Sequence, residues 1–164
     1  PNPNVKPIPL PFWPAAEKAG LPVMFLTYSQ TAAFNRIAER QPQLTLIADH
    51  MGVVGDIPKT GKLAEAIDQT LALAKYPNVS VKLSAAPNNS GEAYPFGDFN
   101  PHIKRLFDAY GPQRCYWGTD LTTGYAKATY KQRITHFTET LDFLSEADKD
   151  WVMGRAILAR LGWA

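Results

Sequence analysis

This sequence is short of cysteine. Its single thiol, Cys115, excludes an internal disulfide and a multi-cysteine metal site, and a reducing, cytoplasmic location is the default that follows. Charge of one sign is also lacking. Lys and Arg number 17 against 15 Asp and Glu, and a formal charge of +2 is too weak a field to imply nucleic acid or an anionic membrane as partner. No apolar run reaches the roughly eighteen residues a membrane helix needs, and the N-terminus has no basic segment followed by an apolar one. The expectation is a soluble protein with no membrane association and no visible targeting signal. Glycine is missing from "VMFLTYSQTA", the first apolar run and its continuation. Neither a phosphate-binding loop nor a G-x-G-x-x-G element therefore follows the first strand, which disfavours nucleotide binding.

Proline is plentiful. Six of the first fourteen residues are proline, so "PNPNVKPIPLPFWP" reads as a lead-in arm over 1–14, with backbone donors removed and polyproline geometry favoured. The remaining 15–164 have the length of one domain, and 45% hydrophobic residues supply a core. Apolar runs and helical spacing then alternate. "PAAEKAGLP" predicts a short helix and "VMFLTY" a strand. "TAAFNRIAERQ" is helical up to Pro42, and "LTLIADH" is a second strand. "KLAEAIDQTLALAKY" carries an apolar stripe ahead of the strand "NVSVKLS". "PHIKRLFDAYG", capped by Gly111, precedes the strand "CYWGTD", and "KQRITHFTETLDFL" and "DWVMGRAILARLGW" close the chain as helical segments. Four strand–helix alternations predict an α/β fold with parallel strands joined by crossover helices. An open doubly wound sheet and part of a closed eight-stranded barrel both satisfy that pattern.

In either architecture the C-terminal strand ends form the functional rim, which gives meaning to polar residues that end apolar runs. His50 beside Asp49 ends the second strand, and Asp120 ends the fourth, two residues after Gly118, where a missing side chain permits close approach. Alternation in the third strand sets Val79, Val81 and Leu83 against Ser80, Lys82 and Ser84. An inward ammonium needs a carboxylate or a wet cavity, and Asp120 is the expected partner of Lys82. Plainer roles compete: a loop hydrogen bond for His50, a cap of the "DLTTG" turn for Asp120, a solvent-facing strand for Lys82. His102, His136 and Cys115 are read as surface or packing residues. Tyr28, Gln30 and Ser84, at strand ends, are candidate substrate contacts. The Gly-, Pro- and Asn-rich segment "AAPNNSGEAYPFGDFNP" is expected to arch over the rim as a mobile cover.

The succession "GLPV", "LTLIADHMG", "PNVSVKLS", "GPQRCYWGTD" and "GRAILARLGW" resembles the amidohydrolase-related superfamily, in particular its lactonase-like branch that includes pyrone-dicarboxylate lactonases. The resemblance implies a (β/α)8 TIM-barrel type of fold, with this chain standing for strands five to eight and their helices. It also implies chemistry on an ester-like bond. The function expected is a lactonase acting on a small carboxylated or sugar-acid lactone, with a decarboxylase of the same superfamily, or a catalytically inactive fragment or binding scaffold, as alternatives. Asp120 would activate water, His50 would polarise the carbonyl or hold the water, and Lys82 would stabilise negative charge. Many members use a divalent metal such as zinc, but the ligand set here is incomplete. No His-x-His pair occurs, and the position of the fifth-strand histidine falls near Leu26 and Thr27, so no metal ligands are assigned. Arg155 stands where the family's closing motif has a helix-capping asparagine. Half a barrel has two open edges and an uncovered inner face, so the expected partner besides a small-molecule substrate is an N-terminal barrel half, or a second copy as a homodimer.

Overall fold

A computed structural model describes residues 11–53, 55 and 57–163. Most of the Pro-rich arm lies outside them, but its last residues do not stay extended. Helix α1 spans Phe12–Lys18, two residues ahead of the expected start, because Pro14 falls in the first turn, where no amide donor is required. Strand β1 (Val23–Phe25), α2 (Thr31–Arg40), β2 (Leu46–Ala48), α3 (Leu63–Leu71) and β3 (Val79–Leu83) follow. Next come α4 (Ala86–Asn89), α5 (Asn100–Tyr110) and β4 (Cys115–Trp117). The C-terminal part holds α6 (Tyr130–Thr135), α7 (Glu146–Asp150) and α8 (Ala156–Leu161), with π-helical turns over His136–Thr140 and Trp151–Arg155. The expected helix through Leu144 thus ends early, at Thr140. None of these helices is long and apolar enough to cross a membrane.

The four strands form one parallel sheet in sequence order, with Phe25 beside Ala48, Ala48 beside Val81 and Leu83 beside Trp117. Alternation sorts their side chains as the third-strand pattern predicts. Leu46, Ala48, Val79, Val81, Leu83 and Cys115 pack with Phe34 and Ala38 of α2, Ala66 and Ile67 of α3, and Ile103 and Leu106 of α5. Three successive crossover helices on one face of the sheet are the arrangement of consecutive barrel units, whereas a doubly wound sheet divides its crossover helices between the two faces. Each fully buried leucine or isoleucine in this layer contributes about 1.5–3 kcal/mol. Cys115 is fully buried, and burial pushes its thiol well above the usual range, leaving it inert.

The opposite face, expected to lie open, is covered in part. Ile47 and Tyr116 are each 2% exposed because the Trp151–Arg155 turn and α8 fold back over them through Ala156, Trp151 and Ile157. Arg160 fastens this segment, donating to Tyr116 Oη at 3.1 Å, Ser80 Oγ at 2.8 Å and the Pro77 carbonyl at 3.2 Å. Arg155 takes no capping role. It is exposed, stacks over Trp151 at 4.3 Å and reaches Asp150 at 3.4 Å.

Part of the segment expected to cover the rim is packed into the fold. Phe96 and Phe99 are completely buried, and Asp98 accepts hydrogen bonds from Ser90 Oγ and from the Gly91 amide. Phe96 stands edge-on to His136, which is itself fully buried. His136 Nε2 donates to Asn100 Oδ1 at 2.7 Å while Nδ1 has no partner, and burial pulls the imidazole down to about 4. The folded protein keeps this ring neutral, whereas the unfolded chain binds a proton near the ordinary histidine value. Stability from His136 is therefore fully present above about pH 6.5 and is lost as pH falls toward about 4, by an amount on the order of 3 kcal/mol. Urea titrations between pH 7 and pH 4 are expected to show this loss, and His136→Gln, which retains a donor for Asn100, should flatten it. An unchanged slope in that variant would assign the acid sensitivity elsewhere.

Candidate active site

Every strand runs at its C-terminal end into a non-glycine residue with left-handed backbone: Ser29 after β1 (φ 60°), His50 and Met51 after β2 (48° and 57°), Ala85 after β3 (68°) and Asp120 after β4 (47°). Among the described residues only Phe96 shares this conformation away from the strand ends. Each such residue costs about 1–2 kcal/mol. Strain gathered at one rim, held there by the surrounding packing, is characteristic of binding and catalytic sites.

The sharpest of these turns presents His50. Three successive residues, His50, Met51 and Gly52, are left-handed, and two buried threonines hold them. Thr70 Oγ1 donates to the Met51 carbonyl at 3.0 Å and lies 2.7 Å from Thr27 Oγ1. Thr27, one of the two residues near which the family resemblance places a histidine, thus supports the His50 turn from behind. Leu26 reaches the cavity in its place.

His50, Lys82 and Asp120 come together on this rim. Ser84 Oγ lies 2.7 Å from His50 Nδ1, which orients the ring so that Nε2 faces two carboxylates, Asp49 Oδ2 at 3.3 Å and Asp120 Oδ1 at 4.0 Å. Lys82 does not pair with Asp120. Its ammonium lies 2.7 Å from Asp49 Oδ1 and 3.7 Å from the Met24 sulfur. Asp49 directly follows the neighbouring strand β2, and with its other oxygen at His50 it joins the lysine to the histidine. Gly118 makes room for this arrangement, since a Cβ there would sit 3.2 Å from Lys82 Cε and Ser84 Cβ.

A cavity of about 390 Å³ opens beside these groups, lined among others by Leu26, His50, Asn88, Asn89, Asp120 and Thr123. Sequence reasoning missed the two asparagines, placing them in the loop read as a cover. Asn88 Nδ2 donates to Asp120 Oδ2 at 2.7 Å, and Thr123 Oγ1 donates to the same oxygen at 2.5 Å. The Asn89 carboxamide is 7% exposed with Nδ2 unpartnered, a donor at the cavity wall without an acceptor of its own. Arg133, also missed, is 2% exposed, and its burial lowers the guanidinium from its ordinary range against the opposing pull of Asp120. Tyr28 and Gln30 are not among the residues lining this cavity. β1 ends at Phe25, Tyr28 packs against the apolar layer under the helices, and Gln30 stands at the start of α2.

The described residues do not by themselves fit a divalent metal. Among the described residues no group of three or more His, Cys, Asp or Glu side chains is arranged to hold one, and an ammonium already occupies Asp49.

The amidohydrolase family model matches residues 2–159. No curated protein sequence matches the chain. Among solved structures, an amidohydrolase from Burkholderia multivorans with bound HEPES superposes with a TM-score of 0.78 at 19% identity, over 92% of this chain and 56% of that one. A protein proposed to be a 2-pyrone-4,6-dicarboxylic acid hydrolase, from Pseudomonas putida, gives 0.74 at 19% identity over 93% and 56%. A 2,6-dihydroxybenzoate decarboxylase from Rhizobium gives 0.56 at 14% identity over 93% and 54%. This chain spans a little over half the length of these structures, and its four parallel strands form part of a (β/α) barrel. With the family model extending over nearly its whole length, the chain belongs to the amidohydrolase family.

Proposed function

We propose that this chain carries the active-site rim of a hydrolase of ester-like bonds, and that its substrate is a small carboxylated or sugar-acid lactone. The observation that carries this reading is the division of labour at Asp120. One carboxylate oxygen is engaged by Asn88 and Thr123, and the other stands on the cavity wall 4.0 Å from His50 Nε2. A carboxylate so held is suited to act as general base. Asp120 takes a proton from water as the water oxygen bonds to the lactone carbonyl carbon. The carbonyl oxygen gains the electron pair and is stabilised by the His50 Nε2 proton. Collapse of this intermediate breaks the ring C–O bond, and Asp120 returns its proton to the departing oxygen, giving a hydroxy acid. Lys82 acts through Asp49, offsetting that carboxylate so that it orients His50 without adding an unbalanced negative charge. A panel of sugar-acid and carboxylated lactones, followed by base uptake, tests the reading. Release of carbon dioxide from aromatic acids in its place would indicate a decarboxylase, and absence of any turnover would indicate a binding scaffold.

The same reading calls for more strands than this chain supplies. Among the described residues β1 pairs only with β2, and Leu21, Met24 and Leu26 beside that open edge are 57%, 47% and 45% exposed. The proposed occupant is the complementing half of a barrel, supplied by further polypeptide or by a second copy. Light scattering of the 18.2 kDa chain is expected to show association that Met24→Ser weakens. A well-dispersed monomer at high concentration would overturn this expectation.

A further inference from the structure

We propose that Asn88, clamped by Arg133, is a positioning residue that turns one oxygen of Asp120 toward His50; the assignment rests on the hydrolase reading above. The clamp begins at Arg133, a buried cation whose guanidinium hydrogen bonds converge on the rim. Its Nη1 donates to the Thr119 carbonyl at 2.6 Å, and its Nη2 donates to the Gly124 carbonyl and to Asn88 Oδ1 at 3.2 Å. Thr119 and Gly124 bracket Asp120, so one guanidinium holds both sides of the loop that carries the carboxylate.

The bond from Arg133 fixes which way the Asn88 amide faces. With its oxygen committed to the guanidinium, its nitrogen points at Asp120, reaching Oδ2 at 2.7 Å and the Asp120 carbonyl at 3.4 Å. Thr123 donates to the same Oδ2, which leaves Oδ1 as the oxygen presented to His50. Gly124 is the sequence signature of the arrangement, for a Cβ there would lie 1.5 Å from Asn88 Oδ1. Any side chain at 124 would push the amide off Arg133 and Asp120, and off Thr123 Oγ1, to which Nδ2 also donates at 3.0 Å. Asn88 also lines the cavity, so direct contact with substrate is the competing role, whereas Arg133 is not among the lining residues and separates the two.

The test combines kinetics with a spectroscopic signature. Asn88→Ala and Gly124→Ala are each expected to lower kcat roughly 10- to 100-fold, the scale of a small misplacement of a reacting group, with KM held within about threefold. Arg133→Lys, which cannot span the three acceptors, should do the same if it folds, and Gly124→Ala removes no polar group should that variant fail. A raised KM with kcat retained would make Asn88 a substrate contact and overturn the proposal. In ¹H–¹⁵N spectra one Asn88 amide proton should lie downfield and return to the free-amide position in Asp120→Ala and in Gly124→Ala. An amide signal unmoved in both variants would refute the bond. Wild-type protein inert toward every lactone would remove the hydrolase reading, while the amide signal would still decide the positioning.

Discussion

Replacing Gly52 by alanine is expected to cost about 2–5 kcal/mol, the sum of a left-handed penalty and an overpacking term. The backbone at Gly52 has φ 75°, and an added Cβ would fall 2.1 Å from Thr27 Oγ1 and 2.2 Å from Thr70 Oγ1. Neither hydroxyl has anywhere to go. Both threonines are fully buried, they are bonded to each other, and Thr70 also holds the Met51 carbonyl. A shift of the turn would move His50, two residues upstream, so the variant should lose both denaturant resistance and the aim of the imidazole. Gly55→Ala is a control, since its Cβ would meet nothing and only the backbone penalty at φ 50° applies. Equal stability of the two variants in urea would show that the threonine pair does not constrain the turn.

The features legible in the sequence were those with local causes. Helices and strands alternate because Pro and Gly punctuate runs of distinct period, and the four strands lie where those runs predict. His50, Asp120 and Lys82 were legible for the same reason, as polar residues ending or alternating within apolar strands. What stayed hidden depends on long-range packing. Arg133 meets Asn88 across 45 positions, and no local pattern marks either residue. The partner of Lys82 is Asp49 because Asp49 directly follows the neighbouring parallel strand, a matter of register rather than sequence. Tyr28 and Gln30 stand away from the cavity because β1 stops at Phe25 and Ser29 takes a left-handed backbone before α2 begins. The closing helices were visible as helices, but small residues such as Ala156 let them fold back onto Ile47 and Tyr116. Periodicity says nothing of that destination.

The largest catalytic effect is expected from Asp120→Asn, which should lower kcat by about 10²- to 10⁴-fold, the usual contribution of a positioned base. Shape and most hydrogen bonds survive the change. The new carbonyl oxygen can stay where Oδ2 was, accepting from Asn88 and Thr123, and this fixes the amide nitrogen on the side facing His50. An amide nitrogen has no lone pair available for a proton, so the group that would take one from water is removed while the cavity keeps its volume. KM should therefore remain close to that of the parent, and the thermal midpoint should change little. Asp49→Asn provides the contrast. That substitution leaves the proposed base in place but takes a negative charge from between Lys82 and His50, so a smaller loss of kcat is expected. Turnover by Asp120→Asn within about threefold of the parent would sink the general-base assignment. A deficit in Asp49→Asn equal to that of Asp120→Asn would transfer the role to the His50–Asp49 pair, in which Nε2 already lies 3.3 Å from the carboxylate.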